Sequence, residues 1–230
     1  MLREVPADAT ANATNATSAA SVTATPVLAP RRERKKRQTR EALIHAALRL
    51  FDAKGYEHTA VREITDAVDV SERTFFRYFA SKEDLALSFA KDGTDALLAA
   101  LNARPAAEDP LTALRGAFRE SLRVVTTDDP GGPTYLLVTK LIDSTSSLLA
   151  AYLRYMHDRE DEVVRVLAER EGVDPVTDMR PRIVAAVFGS LIYLANREWR
   201  TEGGGGADAM LAAFDACVGQ VGPALAGHWT

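Results

Sequence analysis

From Arg34 to the end of the chain, apolar residues recur every third or fourth position, and Val, Ile and Thr never alternate for long. That is the period of a helix and not of a strand, so the chain is expected to be all-α. The longest nearly unbroken apolar run, Ile183 to Ala195, covers 13 residues and contains Gly189 and Ser190. A spanning helix needs about 20, so no membrane association is expected. The single cysteine, Cys217, excludes an internal disulfide, and His45, His58, His157 and His228 are scattered without metal-ligand spacing. These features predict a cytoplasmic protein with no metal and no cofactor.

The 30 residues that open the chain are dominated by Ala, Thr, Asn, Ser and Pro without helical or alternating period. They cannot bury enough surface to offset chain entropy and are read as a disordered tail. The formal net charge of −4 conceals an asymmetry. Residues 31–91 hold 14 Lys and Arg against 10 Asp and Glu, net +4, whereas residues 92–230 hold 13 against 20, net −7. Arg31 to Gly55 alone has nine basic and three acidic residues. Such a distribution predicts an anionic partner for one end only, and places a domain change after Ala90. The basic run Arg31 to Arg40 reads equally as a solvated helix start or as an arm reaching that anionic partner.

Within the basic block, Leu43, Ala47, Leu50 and Phe51 form one face of a first helix, closed by Gly55. Thr59 is expected to cap a short second helix carrying Val61, Ile64 and Val68. A tight turn at Asp69-Val70 leads to Ser71, positioned to cap a third helix, Glu72 to Tyr78, and Ser81 with Asp84 forms a capping box for a fourth. Two short helices on a tight turn, braced by a basic first helix, are what a helix-turn-helix requires. Arg73, Thr74 and Arg77 offer donors to base edges, and Phe75 and Phe79, four apart, anchor the helix in the core. Phe76 faces outward, where it can pack on the first helix or meet a thymine methyl. Lys82, in the first turn of its helix, opposes the macrodipole, a conflict that a phosphate would relieve.

The run Gln38-Thr39-Arg40 through Leu43, Ala47, Leu50-Phe51, Gly55-Tyr56, Thr59, Val61, Ile64, Val70-Ser71, Thr74-Phe75-Phe76, Tyr78-Phe79 and Ser81-Lys82-Glu83-Asp84-Leu85 resembles the DNA-binding domain of the TetR family of bacterial transcriptional regulators. The resemblance covers about residues 34–90. It implies an all-α homodimeric repressor, with residues 31–90 as the helix-turn-helix domain and 91–230 as a helical bundle for ligand binding and dimerisation. By the family pattern Thr59, Val61, Arg73, Thr74, Arg77, Tyr78 and Lys82 fall at DNA-contacting positions, and Ser71 and Phe76 complete the candidate set. The departure is Asp69, where the family usually has Gly; Asp tolerates the left-handed conformation better than most residues. Thr-Phe-Phe-Arg-Tyr-Phe (74–79) and the lead-in at 32–37 look like the branch described as having an acyl-CoA-like ligand-binding domain.

Several tyrosines on bundle helices suggest a cavity, because a buried hydroxyl needs a partner. The expected walls are Phe118, Tyr135, Tyr152, Met156 and Phe188, around a hydrophobic small-molecule effector such as a long-chain acyl thioester. The all-round apolar stretch Ile183 to Ala195 must be covered on two sides, which predicts a dimer seam from the helices around residues 181–200 and 207–221, with Phe214 and Val218 central. No Gly-rich phosphate loop, nucleophile elbow or His-Glu-x-x-His pair is present, and Gly203 to Gly206 has neither a preceding strand nor a following Lys-Ser/Thr. The chain is therefore expected not to be an enzyme. The alternative reading is an effector-independent or architectural DNA-binding protein.

Overall fold

The computed structural model describes residues 31–126 and 133–227; the segment expected to form the disordered N-terminal tail lies outside the described residues. Among the described residues the chain is all-α. A head is formed by α1 (Arg31–Lys54), α2 (Val61–Asp66), α3 (Glu72–Phe76) and α4 (Lys82–Ala86). A bundle follows, made of α5 (Ser88–Ala103), α6 (Pro110–Thr126), α7 (Pro133–Ser144), α8 (Ser146–Glu171), α9 (Arg180–Thr201) and α10 (Ala207–Leu225). No single described helix is long and apolar enough to cross a membrane.

Local chemistry sets the ends. Gly55 ends α1 at φ 88°, its N–H donating to the Phe51 carbonyl at 2.9 Å. Asp69 holds the α2–α3 turn at φ 54°, so the substitution for glycine keeps the left-handed turn. Ser71 and Ser81 cap α3 and α4, their hydroxyls accepting from the backbone N–H of Thr74 and Asp84. Thr59 does not cap α2: its hydroxyl donates to the Gly55 carbonyl at 2.9 Å, and the extended residue before the helix is Ala60. Glu63 serves that helix start instead, accepting from the Ala60 N–H at 2.8 Å.

The head closes around Leu43, Ala47, Phe51, Ile64, Phe75, Phe79 and Leu85, all buried. Its core runs on into the bundle, because Val138, Leu141 and Ile142 of α7 and Leu148 and Ala151 of α8 belong to the same cluster. Helix α7 therefore ties the head to the bundle as directly as the α4–α5 connection does. That connection, from Lys82 to Ala103, is divided at Leu87. Its hydrogen bonds nevertheless continue across, from Leu87 N–H to Glu83 and from Lys91 N–H to Leu87. Arg170 of α8 closes the far end of α5 by donating to the carbonyls of Arg104 at 2.9 Å and Pro105 at 2.8 Å, a cation on a helix C-terminus.

Three rings fill the middle of the bundle. Phe118 of α6, Phe188 of α9 and Phe214 of α10 contact one another with centroids 5.1–6.1 Å apart. Phe214 is fully buried in its own subunit, and Val218 packs against the same core. The expectation that Phe214 centres a dimer seam is thereby corrected, whereas Val218 is only half-buried. The larger residues left exposed on α9 are Ile183, Val187, Tyr193 and Leu194, three of which share one stripe at spacings of four and seven.

Candidate nucleic-acid interface and effector site

Helix α3 divides into a dry and a wet side. Phe75 and Phe79 are inside, 5.6 Å apart, while Arg73, Phe76 and Arg77 are exposed and Thr74 and Tyr78 half-exposed. Phe76 is 53% exposed and leans edge-on against Phe75 rather than on α1, so an apolar ring stands among cationic side chains on the outer surface. The Arg77 guanidinium lies 5.1 Å from the centre of the Tyr78 ring. The Ser71 and Thr74 hydroxyls are 3.0 Å apart, one donating to the other, so the cap also orients Thr74. Val61, at the start of α2, is half-exposed beside this surface.

Two of the expected contacts are placed differently. Thr59 is only 2% exposed with its hydroxyl engaged, so its side chain supports the α1–α2 corner and is withdrawn from DNA. Lys82 is half-buried: its ammonium donates to the carbonyls of Tyr56 at 2.7 Å and Thr59 at 2.9 Å and lies 4.2 Å from the Tyr56 ring centre. The conflict with the α4 dipole is thus met by carbonyl acceptors within the head. Burial, followed by the carboxylates of Glu83 and Glu57, pushes the Tyr56 hydroxyl up to about 12.

The five expected effector residues are spread over the middle of the bundle and the head's core, with Tyr135 and Tyr152 close enough to interact electrostatically. Phe118 and Phe188 belong to the three-ring centre, and Tyr152 packs against the head's core. Met156 is half-buried on α8. Tyr135 sits between Phe89 at 5.3 Å and Trp199 at 5.2 Å, and its hydroxyl donates to Asn196 Oδ1 at 2.9 Å. Burial pushes that hydroxyl well above the ordinary tyrosine range, and burial followed by the Asp143 carboxylate does the same for Tyr152. Arg200 pairs with Asp143 across the same α7–α9 junction.

Trp199, 1% exposed, keeps an indole N–H without a hydrogen-bond partner among the described residues. The Gly204-Gly205 turn, both residues at positive φ, passes over that indole. Sequence reasoning missed Trp199, Asn196 and Arg200. The signal available for them was a polar Asn breaking an apolar helix just before a glycine run. A separate cavity of about 390 Å³ opens between α6, α8 and α9, where Glu171 and Arg180 join apolar residues such as Leu167, Pro181, Ile183 and Val184, none of them among the expected walls.

A short helix anchored by two phenylalanines and presenting arginines from a compact four-helix head, with a larger helical bundle behind it, defines a helix-turn-helix DNA-binding protein. The description of bacterial regulatory proteins of the tetR family matches residues 43–89, and the C-terminal domain of MftR matches residues 108–221. The chain is 44% identical over 201 residues to the HTH-type transcriptional regulator TcmR of Streptomyces glaucescens, covering 86% of this chain and 89% of that protein. It is 28% identical over 183 residues to the mycofactocin biosynthesis transcriptional regulator MftR of Mycobacterium tuberculosis, covering 79% and 90%. A crystal structure of a transcriptional regulator from Pseudomonas aeruginosa PAO1 shares the fold with a TM-score of 0.52 at 18% identity, over 80% of this chain and 90% of that one. The chain belongs to the TetR family and is a DNA-binding transcriptional regulator.

Proposed function

We propose that the protein is a homodimeric repressor that reads a palindromic operator through paired α3 helices and leaves it when a small molecule occupies the bundle. The observation that carries the DNA half is the α3 surface: Arg73, Thr74, Phe76 and Arg77 face out from a helix whose Phe75 and Phe79 are fixed in the core. Arg73 and Arg77 supply bidentate donors for guanine and Phe76 an apolar contact for a thymine methyl, with Ser71, Val61 and Tyr78 positioning the helix at its edges. In a two-fold dimer the half-sites lie roughly one helical turn apart. Selection of bound duplexes from a random pool tests this; an enriched palindrome is expected, and a pool without one would overturn it.

The effector half draws on the α7–α9 junction. A buried donor without a partner costs about 1–3 kcal/mol, and Trp199 carries one beside the Tyr135–Asn196 pair. An apolar molecule bearing an oxygen acceptor, a description that includes an acyl thioester, would supply the missing bond. Seated between α7 and α9, it would press on α7, whose other side forms part of the head's core. Release of DNA then requires only that the ligand prefer the displaced arrangement of α7. Native mass spectrometry of the purified protein, with each captured compound assayed for operator release, tests this half. Operator affinity that no captured compound changes by more than twofold would favour the effector-independent reading instead.

A further inference from the structure

Glu72, the first residue of α3, is exposed, and among the described residues its carboxylate has neither a hydrogen bond nor an ion pair. The helix start does not use it, because the Ser71 hydroxyl supplies the cap, accepting from the Thr74 N–H at 3.2 Å. The acids of α2 are both engaged, Glu63 with Lys54 and Asp66 with Arg62. Glu72 has no such neighbour. The residues three and four positions on, which share its side of the helix, are Phe75 and Phe76, and Arg73 faces about 100° further round. Glu72 and Phe76 therefore lie along one flank of α3, while Arg73 and Arg77, also four apart, lie along the next.

A carboxylate on a surface that meets a polyanion is repelled unless it finds a hydrogen-bond donor. Phosphate oxygens only accept, as does an ionised carboxylate, so the DNA backbone offers it nothing. In the major groove guanine presents two acceptors, thymine an acceptor beside its methyl group, and adenine a donor beside the N7 acceptor; cytosine alone presents a donor with no acceptor. We infer that Glu72 is a specificity-determining residue whose carboxylate accepts the N4 hydrogen of one cytosine in each half-site. That cytosine lies within about two base steps of the base that meets Phe76, since four residues of helix rise about 6 Å. The carboxylate repels the acceptor edges of guanine and thymine, so it selects by rejection as well as by attraction. It also weakens binding to every duplex that lacks the cytosine, which widens the gap between operator and bulk DNA. This rests on the assignment of α3 as the reading helix.

The test repeats the selection of bound duplexes with full-length wild type, Glu72→Gln and Glu72→Ala. Wild type is expected to return a palindrome with a cytosine at one position of each half-site. Glutamine offers adenine a bidentate pair, so Glu72→Gln should replace that cytosine by adenine. Glu72→Ala should lose the preference there and keep the rest of the palindrome. On a fixed duplex with that cytosine changed to thymine in both half-sites, wild type should lose about tenfold in affinity and Glu72→Ala less than about twofold. On a duplex of unrelated sequence at low salt, both variants should bind about two- to fivefold more tightly than wild type, because a repelled charge is gone. Both should remain folded in thermal unfolding, since the carboxylate touches nothing in the subunit. A palindrome that neither substitution alters, or an affinity loss shared equally by all sequences, would overturn the role of Glu72 and leave α3 as the reading helix. A wild-type protein that selects no palindrome would overturn both.

Discussion

Lys82 donates to two backbone carbonyls, of Tyr56 and Thr59, at the α1–α2 corner. Its loss should therefore be felt before any DNA is added. Lys82→Gln is expected to lower stability by about 1–2 kcal/mol in urea unfolding of the free protein, in addition to any weakening of DNA binding. Unchanged unfolding combined with uniformly weaker binding would return Lys82 to a phosphate-contacting role. Asp84 has a comparable structural part: it accepts from the Ala80 N–H at 2.8 Å and pairs with Lys91. Burial raises its carboxyl, but Lys91 and the Ala80 N–H outweigh that and hold it below the ordinary value of 3.8. A depressed carboxyl contributes stability that is present above the unfolded value and lost as pH falls through the folded one. Asp84→Ala should accordingly cost about 1–2 kcal/mol near neutrality, the loss of a helix-start acceptor. The gap between variant and wild type should close below about pH 4 in acid titrations followed by circular dichroism.

At the scale of elements, the recognition helix was the most legible part of the chain. The four-residue spacing of Phe75 and Phe79 and the small polar caps Ser71 and Ser81 are local signals, and local contacts satisfy them. Arg77→Ala is expected to cost about 1–3 kcal/mol on the selected operator and to relax preference at one base pair, readable as a change in the selected sequence. An equal loss on every sequence would reassign Arg77 to the backbone. Other features depend on partners distant in sequence, which explains why they were not read. Thr59 looked like a cap because it is a Thr ahead of an apolar helix, yet its hydroxyl meets Gly55 and Ala60 takes the cap position. Lys82 finds acceptors 23 and 26 residues away. The expected walls are divided for a related reason: periodicity places Phe118, Tyr135, Tyr152, Met156 and Phe188 on inward faces, but Phe118 and Phe188 meet in the middle of the bundle while Tyr152 packs against the head's core.

For the whole molecule the same limit fell on the dimer seam. An apolar helix such as α9 must be covered twice, and the sequence shows that without showing which of its sides is covered within the subunit. Phe188, Leu191, Ala195 and Trp199 turn out to face inward, which leaves Ile183, Val187 and Leu194 exposed at 55%, 40% and 45% on a single stripe. Beside them α10 exposes Ala209, Ala212, Ala216 and Gly219, small residues at helical spacing that allow another helix to approach closely. We propose that these two surfaces form the seam, where a two-fold axis would bring each against its copy. Leu194→Asp and Val187→Asp should therefore leave each subunit folded, since the altered positions are open to solvent in the monomer, and should yield monomers by sedimentation equilibrium at micromolar concentration. Operator affinity should fall at least tenfold, because a monomer engages one half-site without the benefit of the other. Phe214→Asp should behave in the opposite manner, unfolding the subunit by placing an unpaired charge among Phe118, Phe188 and Leu114. A Leu194→Asp protein that sediments as a dimer would show that α9 is not the seam, and would move the two-fold axis, with the spacing of the α3 helices it sets, to another face of the bundle.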